Sequence, residues 1–418
     1  MNMHSGNGGY EVEKIRADFP ALAMQVYGKP LVYLDNAASA QKPQAVLDRL
    51  HKAYTEQYAN VHRGLHYLAN EATEAYEGAR ETTRAFINAE RKEEIVFTKN
   101  ATEALNVAIV GLLRAGGRVV TTSMEHNSVL RPLRALCSAG VSVQAIPADA
   151  GGRVDPQEVR RAIGADTRLV VVTHGSNVTG AVNDIAAVAA ACRERGVRLL
   201  VDAAQTAGCI PIDLERIPVD YMAFSGHKSL LGPQGTGGLY VRDEKDLPPL
   251  LRGGTGSLSD RDEQPEFLPD RFESGTLNVP GIVGLGEGVR WLLRRGVENV
   301  AEHDRLLRSI LLETVSHDPR VRVVGNPAAS AAAAPAPAAP CTGVVSVVIR
   351  DVSPSDAGEA LERRFGILTR IGLHCAPSAH RSMGTFPDGT VRLSWGVFTT
   401  ARQMEKAGRA LLSIAAGK

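Results

Sequence analysis

The sequence predicts an α/β protein with a large, mostly parallel sheet and a smaller α+β unit towards its carboxyl end. Between residues 70 and 297, short apolar runs alternate with helical stretches, which is typical of crossover units in a parallel sheet. An Ala/Pro-rich tract at 327–340 interrupts this pattern, and strands and helices resume after it. The length of 418 residues also exceeds the usual size of a single core, so two units are expected.

The domain boundaries follow from the same pattern. We predict a large domain over 31–297 with a mostly parallel sheet, and a smaller domain that combines 1–30 with 298–418. Residues 327–340 hold nine Ala and four Pro among fourteen positions, a composition that gives this stretch no core of its own. We therefore interpret it as a connector within the smaller domain.

The individual elements are predicted from the spacing of apolar residues. Helices are predicted over 11–20, 43–57, 70–88, 101–114, 128–139, 155–164, 184–195, 281–295, 298–317, 355–365 and from about 400 onwards. Strands are predicted over 31–34, 95–97, 118–121, 141–143, 169–172, 198–202, 221–224, 239–241, 344–349 and 367–371. A turn is predicted at 28–30, and glycine-rich loops follow residues 231, 250 and 271.

Composition argues against several classes of partner and location. The formal net charge of +1 gives no electrostatic reason for binding nucleic acid or a membrane surface. No apolar run reaches the length of a membrane span, and we see no signal peptide in the first ten residues. The five cysteines are scattered without a CxxC pair, which favours free thiols over disulfides or a zinc site. We expect a cytoplasmic protein without a bound metal.

Two predicted neighbouring strands end in an acid and a lysine. Asp202 ends the strand over 198–202, and Lys228 follows the next strand in the sequence Ser225-Gly226-His227-Lys228. Pyridoxal phosphate needs this combination, because a lysine forms its Schiff base and a carboxylate keeps its pyridinium nitrogen protonated. The alternative is that Asp202 caps a helix and Lys228 is a surface lysine. The nearby Gln205, together with Ser225 and His227, favours the cofactor site.

Other polar residues follow strands at the same predicted edge of the sheet, where ligands of α/β proteins bind. Thr102 opens a helix whose free amides can bind a phosphate, although plain helix capping explains it equally well. His126 can stack on a pyridine ring, and Asn177 can hydrogen-bond its hydroxyl. A lone histidine is more often structural, so the role of His126 stays open at this point.

The carboxyl-terminal unit contains a second group of reactive residues. Cys375 lies beside His374 in a loop flanked by Gly and Pro, five residues after Arg370, which makes it a candidate nucleophilic thiolate. Arg392 can bind a carboxylate through two parallel hydrogen bonds. The alternatives are an inert cysteine and a surface arginine on a strand. The stretch Asn60-Val61-His62-Arg63-Gly64 is, from its residues alone, an ordinary exposed loop.

Taken together, these residues resemble the cysteine desulfurases of the class V aminotransferase group, and most of all the SUF-type (group II) branch, which includes selenocysteine lyases. The matching motifs are Tyr33-Leu34-Asp35-Asn36-Ala37-Ala38-Ser39, Val61-His62-Arg63-Gly64-Leu65-His66, Ala101-Thr102-Glu103, Met124-Glu125-His126, Ser176-Asn177, Asp202-Ala203-Ala204-Gln205, Ser225-Gly226-His227-Lys228 and Arg370-x-Gly372-x-His374-Cys375-Ala376. They span nearly the whole chain in the family order. The chain differs from the family at Leu373, where a histidine is usual, and over 377–385.

The resemblance implies a pyridoxal-phosphate-dependent transferase of fold type I, with a seven-stranded sheet in its large domain, that acts as a homodimer. It implies that Lys228 forms the Schiff base, His126 stacks on the ring, and Asp202 pairs with the pyridinium nitrogen. The remaining cofactor contacts that it implies are Asn177 and Gln205 at the ring oxygen, Thr102, Ser225 and His227 at the phosphate, and Thr276 at the phosphate of the partner subunit. It places Arg392 on the substrate carboxylate, with Asn36, His62, Arg63 and Arg370 also on the substrate side. Cys375 would accept the sulfur.

The function predicted from the sequence is conversion of L-cysteine to L-alanine, with transfer of sulfur to Cys375 as a persulfide. The sulfur would serve assembly of iron–sulfur clusters or other sulfur-containing cofactors, through an acceptor or scaffold protein. His374 and His126 are both candidates for the acid–base group that the thiol needs. A selenocysteine lyase, a class V aminotransferase, a C–S lyase with another substrate and a non-catalytic scaffold are the alternatives.

Overall fold

The computed structural model describes residues 10–62, 64–325 and 340–418. The helices are α1 (Val12–Ala17), α2 (Gln44–Thr55), α3 (Tyr67–Ile87), α4 (Ala101–Leu113), α5 (Asn127–Leu136), α6 (Pro156–Ala162), α7 (Ile185–Arg195), α8 (Val279–Arg295), α9 (Val297–Val315), α10 (Pro354–Phe365), α11 (Pro377–Ser382) and α12 (Ala401–Ala415). Short 3₁₀ turns cover Pro20–Ala23, Lys92–Glu94 and Cys137–Ala139.

The strands form a large and a small sheet, with two additional two-stranded pairs. They are β1 (Gln25–Val26), β2 (Lys29–Pro30), β3 (Val32–Tyr33), β4 (Ile95–Thr98), β5 (Gly117–Thr122), β6 (Val141–Ile146), β7 (Thr167–Thr173), β8 (Arg198–Asp202), β9 (Tyr221–Ser225), β10 (Gly237–Val241), β11 (Val321–Val323), β12 (Val344–Ile349), β13 (Ile367–Leu368), β14 (Arg370–Gly372) and β15 (Thr390–Ser394). The predicted α/β class is thereby confirmed.

The large sheet has seven strands in the order β4-β10-β9-β8-β7-β5-β6. Strands β9, β8, β7, β5 and β6 pair in parallel, whereas β10 runs antiparallel to both of its neighbours. Alternate residues of one strand belong to different cores: Val201 packs on one face of the sheet and Leu200 on the other. A parallel sheet buried on both faces explains why its strands appear in the sequence as unbroken apolar runs.

Helix ends follow from capping residues. The side chain of Asp184 accepts a hydrogen bond from the backbone N–H of Ala187 at the start of α7, and Gly196 ends that helix in the left-handed conformation with φ 65°. Asn100 caps α4 by accepting from the N–H of Glu103 at 2.9 Å. These caps satisfy backbone groups that the first and last turns of a helix leave free. The start of α4 is thereby fixed directly after β4.

The four-stranded sheet has the order β11-β12-β15-β14 and is antiparallel throughout. The strand predicted over 367–371 divides between two sheets, because β13 pairs in parallel with β3 and β14 pairs with β15. Val32 and Leu34 pack into the core of this carboxyl-terminal unit. The proposed domain boundaries stay a prediction, and 327–339 of the predicted connector lie outside the described residues.

Several local features were not predicted. The stretch 377–382, to which no element was assigned, forms α11 with Pro377 in its first turn, a position that proline tolerates well. The predicted turn at 28–30 is centred on Tyr27 and Gly28, both with positive φ, and connects β1 to β2. Strand β11 was not predicted, since three residues are too few for a periodic pattern. No helix among the described residues is long and apolar enough to cross a membrane.

Candidate active site

Strands β7, β8 and β9 deliver polar residues to one edge of the large sheet. Thr173 and Asp202 are paired at the carboxyl ends of β7 and β8, and Ser225 ends β9. A cavity of about 270 Å³ lies at this edge. Eleven of the predicted site residues line it: Thr102, His126, Asn177, Asp202, Gln205, Ser225, His227, Lys228, Arg370, Cys375 and Arg392. The cavity thus joins the ends of the large sheet to residues of the carboxyl-terminal unit.

Asp202 is a buried carboxyl group at the floor of this cavity, 5% exposed. Its Oδ1 accepts a hydrogen bond from the N–H of Ala204 at 2.9 Å. Burial raises the pKa of Asp202, while the Ala204 N–H and the Lys228 charge act in the opposite direction. A buried carboxylate with so few partners is stabilised by a cation, so it suits the protonated nitrogen of a bound heterocycle.

Lys228 lies three residues beyond β9 and reaches the same cavity. Burial lowers its pKa to about 8, although the neighbouring Asp202 raises it; Arg392 lowers it further. Among the described residues, Nζ of Lys228 makes no hydrogen bond or ion pair. A buried amine with a lowered pKa is partly neutral at physiological pH and can act as a nucleophile or proton acceptor.

His126 is held in a fixed orientation at the start of α5. Its Nδ1 accepts a hydrogen bond from the N–H of Ser128 at 3.0 Å and lies 2.9 Å from the Ser128 hydroxyl. That hydroxyl lies 2.7 Å from Oγ1 of Thr102. Burial, together with the charge of Lys228, lowers the pKa of His126 to about 4, so the ring is neutral. Ser128 was not predicted as a site residue. The indication in the sequence is its position two residues after His126, which caps a helix.

The turn that carries Lys228 contacts the start of α4 and the segment that follows β3. Ser225 Oγ accepts from the N–H of Ala101 at 3.4 Å, and this contact links β9 to the start of α4. His227 Nδ1 lies 3.2 Å from the hydroxyl of Ser39, and Gln205 Nε2 donates to the carbonyl of Ala37 at 3.1 Å. These contacts place the residues expected at a phosphate beside the amino end of α4, which favours anions.

Arg392 is a buried guanidinium, 2% exposed, on β15. It donates to Asp35 Oδ1 at 3.0 Å and to the carbonyl of Asn177 at 3.2 Å, while its Nε has no hydrogen-bond partner among the described residues. Arg370 faces it across the β14–β15 pair. Two guanidinium groups with one nearby carboxylate leave an excess of positive charge in the cavity, which suits a substrate carboxylate. Asp35, the anchor of Arg392, was not assigned a role from the sequence.

The loop with Cys375 is attached to the large domain through main-chain atoms. His374 and Cys375 both adopt positive φ values, 48° and 57°. The carbonyl of His374 accepts from Asn177 Nδ2 at 2.6 Å, and the carbonyl of Cys375 accepts from the N–H of Asn127 at 2.8 Å. The side chain of Cys375 remains exposed, and the cysteine lines the cavity. Of the five free cysteines, only this one lines it.

Three predicted site residues do not line this cavity, and one was not placed. Asn36 donates through Nδ2 to the carbonyl of Ser394 at 3.1 Å, and His62 Nε2 lies 3.5 Å from Glu77 Oε1. Thr276 lines a separate cavity of about 280 Å³. Arg63 lies outside the described residues. The roles expected for these residues stay predictions.

The loop before Thr276 is fixed by a buried ion pair. Arg80 NH1 and NH2 donate to the two carboxylate oxygens of Glu273 at 2.7 and 2.9 Å. Glu273 also accepts from the N–H of Phe97 at 2.6 Å and from the Tyr76 hydroxyl at 3.1 Å. A buried, bidentate and fully hydrogen-bonded pair has the geometry that offsets the desolvation of its charges. The segment from Glu273 to Thr276 is therefore attached to the edge of the large sheet at β4.

Glu125 is a fully buried carboxyl group that sequence reasoning passed over, although it lies in the motif around His126. Its Oε1 accepts from the Thr122 hydroxyl at 2.7 Å and from the N–H of Thr173 at 2.9 Å, whereas its Oε2 has no partner in the part of the chain that the structure describes. Burial raises its pKa to about 8, and the charge of Asp202 adds to this shift. Glu125 is therefore protonated near neutral pH.

This protonation predicts a specific dependence of stability on pH. The pKa of Glu125 is raised by folding, so its proton stabilises the folded state below the ordinary carboxyl pKa, and this contribution is lost as pH rises towards about 8. Glu125→Gln keeps the accepting oxygen and cannot ionise. We expect the urea midpoint of wild type to fall relative to this variant between about pH 5 and about pH 8.5. Parallel pH curves would contradict the prediction, and the exposed Glu90→Gln serves as control.

The fold and this cavity together define the class of protein. A model of the class-V aminotransferase family, described as Aminotransferase class-V, matches residues 32–406, and the chain belongs to this family. Within it, the chain belongs with the cysteine desulfurases. A probable cysteine desulfurase of Methanothermobacter thermautotrophicus is 36% identical over 410 residues, which cover 96% of this chain and 98% of that protein.

Two further comparisons agree on the family. Probable cysteine desulfurase 1 of Mycobacterium leprae is 36% identical over 95% of this chain, and the chain spans 64% of the length of that relative. The solved apo structure of the cysteine desulfurase from Thermococcus onnurineus NA1 aligns with a TM-score of 0.85 and 31% identity. That alignment covers 96% of this chain and 99% of the solved one. The similarity extends over nearly the whole chain described here.

The family implies pyridoxal phosphate, and the residues of the cavity fit this cofactor. Lys228 offers an amine without a hydrogen-bond partner among the described residues, and Asp202 offers a buried carboxylate with a single hydrogen bond. Asn100, Ala101 and Thr102 bring the amino end of a 13-residue helix to the cavity wall. The described residues contain no cluster of three or more His, Cys, Asp or Glu side chains that can hold a metal ion.

The lowered pKa of Lys228 predicts how the cofactor-free protein captures pyridoxal phosphate. Only the neutral amine attacks the aldehyde, and with a pKa of about 8 its neutral fraction is about 10% at pH 7 and about 90% at pH 9. We expect the rate of cofactor capture, followed by absorbance, to rise roughly tenfold between these pH values and then to level off. A capture rate that continues to rise steeply above pH 9 would instead indicate a lysine with an ordinary pKa.

Proposed function

We propose that the protein is a pyridoxal-phosphate-dependent cysteine desulfurase of the SUF-type branch, which converts L-cysteine to L-alanine and leaves the sulfur on Cys375 as a persulfide. The observation that carries this proposal is the composition of one cavity wall. Lys228, Asp202, Arg392 and Cys375 line the same cavity, so an amine, a carboxylate, a guanidinium and a thiol face one ligand. An aminotransferase or a C–S lyase has no need of the thiol.

Arg392 and Arg370 would orient the substrate. The guanidinium of Arg392 is anchored by Asp35 and by the carbonyl of Asn177, and no described residue accepts a hydrogen bond from its Nε. A carboxylate bound there would satisfy this N–H and neutralise a charge that is now buried. Arg370, more exposed, would close the outer side of the binding site. The carboxylate would thereby fix the direction of the substrate side chain relative to Cys375.

Lys228 would move the proton of the substrate Cα. Its amine is partly neutral because burial lowers its pKa to about 8. Pyridoxal phosphate, when bound, supplies a conjugated ring that withdraws electrons from Cα. Asp202 would hold the ring nitrogen protonated through its buried carboxylate, and neutral His126 would cover the ring face without adding a charge. Lys228 and His126 thus have protonation states that match their roles.

Cys375 would accept the sulfur as a thiolate. His374 is a poor source of the cation that a thiolate needs, because burial and the arginine charges lower the pKa of its ring to about 2. Arg370, Arg392 and Lys228 line the same cavity and would face the negative charge instead. The sulfur atom leaves Cβ of cysteine and joins Cys375 as a persulfide, while the remaining carbon skeleton takes up protons and leaves as alanine. The exchange needs no external oxidant or reductant.

The proposal extends to the assembly and to the destination of the sulfur. We propose a homodimer in which Thr276 reaches the cofactor phosphate of the partner subunit, and a separate acceptor or scaffold protein that removes the sulfur for cofactor assembly. The buried anchor of the Thr276 loop, Arg80 with Glu273, supports a fixed position for that residue. The five cysteines are free thiols, which supports a reducing compartment, the cytoplasm.

The test is the reaction of the purified holoenzyme with L-cysteine. We expect equal amounts of alanine and of transferred sulfur, with one added sulfur atom on the peptide that contains Cys375. A parallel assay with selenocysteine as the substrate distinguishes a cysteine desulfurase from a lyase specific for selenium. Release of pyruvate, or amino transfer to a keto acid without loss of sulfur, would contradict the proposal.

A further inference from the structure

His380 is a buried residue beside the Cys375 loop that belongs to none of the recognised motifs. It lies on α11 and is 0% exposed, with Nδ1 2.7 Å from the hydroxyl of Thr385. Its backbone N–H donates to the carbonyl of Ala376, and its carbonyl accepts from the N–H of Thr385. The residue belongs to the stretch 377–385, where this sequence departs from the pattern of its family.

His380 packs against His374, the residue that precedes Cys375. The two ring centres are 5.3 Å apart and the planes are tilted by 48°. His374 is 5% exposed, and its Nε2 lies 2.8 Å from the hydroxyl of Thr390. The ring of His374 is therefore held by Thr390 and His380, while its backbone carries the positive φ that turns Cys375 towards the cavity.

Hydrogen bonds connect this pair to the guanidinium of Arg392. The carbonyl of His374 accepts from Asn177 Nδ2 at 2.6 Å, and the carbonyl of Asn177 accepts from Arg392 NH1 at 3.2 Å. Thr390 and Arg392 are two residues apart on β15, so their side chains leave the same face of the strand. A continuous set of contacts thus leads from His380 through His374 and Asn177 to Arg392.

The partners of the two rings indicate that both are neutral. Each ring has one nitrogen next to a threonine hydroxyl, whereas His374 Nδ1 and His380 Nε2 are buried and have no partner within 10–62, 64–325 and 340–418. A neutral imidazole directs its single N–H at the threonine oxygen and leaves a lone pair at the other nitrogen. A charged ring would instead bury an unsatisfied N–H close to Arg392. Burial first, and the charge of Arg392 second, lower the pKa of His374 to about 2 and that of His380 to about 4.

We propose that His380 is a positioning residue, a neutral ring that holds His374 in place and thereby fixes both the Cys375 loop and the Arg392 guanidinium. The consequence for sulfur transfer rests on the proposed function, whereas the positioning itself does not. His380 does not line the cavity, so it acts through His374 and not on the ligand. Through His374 it supports two parts of the site. These are the Cys375 thiol and the Arg392 guanidinium that would bind the carboxylate of an amino-acid substrate.

The experiment compares His380→Ala with His303→Ala in the holoenzyme. His303 is an equally matched control: it is 6% exposed, its Nε2 lies 2.8 Å from the carbonyl of Thr399, and burial lowers its pKa to about 4. The N–H of Asn127 donates to the carbonyl of Cys375 and so reports on the position of the loop. We expect its hydrogen exchange to accelerate about tenfold in His380→Ala and to stay unchanged in His303→Ala.

Kinetics and spectroscopy supply independent readouts. In His380→Ala we expect KM for L-cysteine to rise and kcat to fall, each by about tenfold, because the guanidinium and the thiol are both displaced. The cofactor absorbance should not change. Nitrogen-15 spectra of the wild type should show both rings neutral at pH 7, with the proton on Nε2 of His374 and on Nδ1 of His380.

Three results would overturn the proposal. They are a protonated ring of His374 or His380 at pH 7, equal exchange of the Asn127 amide in the two variants, and unchanged kinetic constants in a folded His380→Ala. The nitrogen-15 spectra of the wild type test the proposal even if His380→Ala does not fold. Absence of desulfurase activity in the wild type would refute the proposed function and leave the exchange comparison valid.

Discussion

Replacing Cys375 by serine should reduce sulfur transfer from L-cysteine by roughly a thousandfold or more, the scale of loss seen when an enzyme's nucleophile is removed. A hydroxyl is a far weaker nucleophile than a thiol at neutral pH. Serine is nearly isosteric, and the loop is held by main-chain hydrogen bonds from Asn127 and Asn177, so its conformation should persist. The variant should still bind pyridoxal phosphate with the absorbance of the wild type.

The readout is a mass spectrum taken after a pulse of L-cysteine. The wild type should gain one sulfur atom on the peptide with Cys375, and Cys375→Ser should gain none. Cys137→Ser is the matched control, because Cys137 is the other cysteine that is not buried and it lies outside the cavity. Added sulfur on another cysteine, or undiminished desulfuration in Cys375→Ser, would put the lyase and aminotransferase alternatives first.

Lys228→Ala should abolish the covalent cofactor linkage and lower turnover by roughly four orders of magnitude or more, because it removes both the attachment point and the proton acceptor. The truncation also leaves Asp202 without the charge that opposes the rise of its pKa. Borohydride reduction of the wild type should fix the cofactor on the peptide with Lys228. In Lys228→Ala, the same treatment should leave no cofactor covalently attached to the protein.

Lys42 is an internal control that tests whether the cofactor label is specific for Lys228. Burial lowers its pKa to about 7, so it is at least as reactive as Lys228 by charge state alone. Its Nζ, however, donates to the carbonyl of His227 at 2.9 Å, and the residue does not line the cavity. We therefore expect no transfer of the label to Lys42 in the variant. Label on Lys42 in the wild type would show that the cofactor lies elsewhere than proposed.

The large sheet could be predicted from the sequence because its signal is local. Strands buried on both faces appear as apolar runs such as the one before Asp202. The helices between them are recognised by apolar residues three or four positions apart. The residues that end these strands then identify one edge of the sheet as the site. Asp202, Lys228 and His126 were found in this way, and the structure places all three at one cavity.

The features that escaped prediction depend on contacts distant in sequence. Glu125 and Ser128 have no distinctive pattern, and only the fold shows that they are buried between Thr122, Thr173 and Thr102. The pairing of β13 with β3 links residues more than 300 positions apart, which no local spacing reveals. Helix α11 was not predicted, although Pro377 suits the first turn of a helix.

The attachment of the Cys375 loop limits how the sulfur of the proposed persulfide could leave the protein. The carbonyls of His374 and Cys375 are bound by Asn177 and Asn127, and the loop connects β14 directly to α11. A loop that is short and bound at two points has little freedom to extend into solvent. If the proposed function holds, an acceptor would have to bring its own reactive group to Cys375, and its shape would decide whether it can take the sulfur.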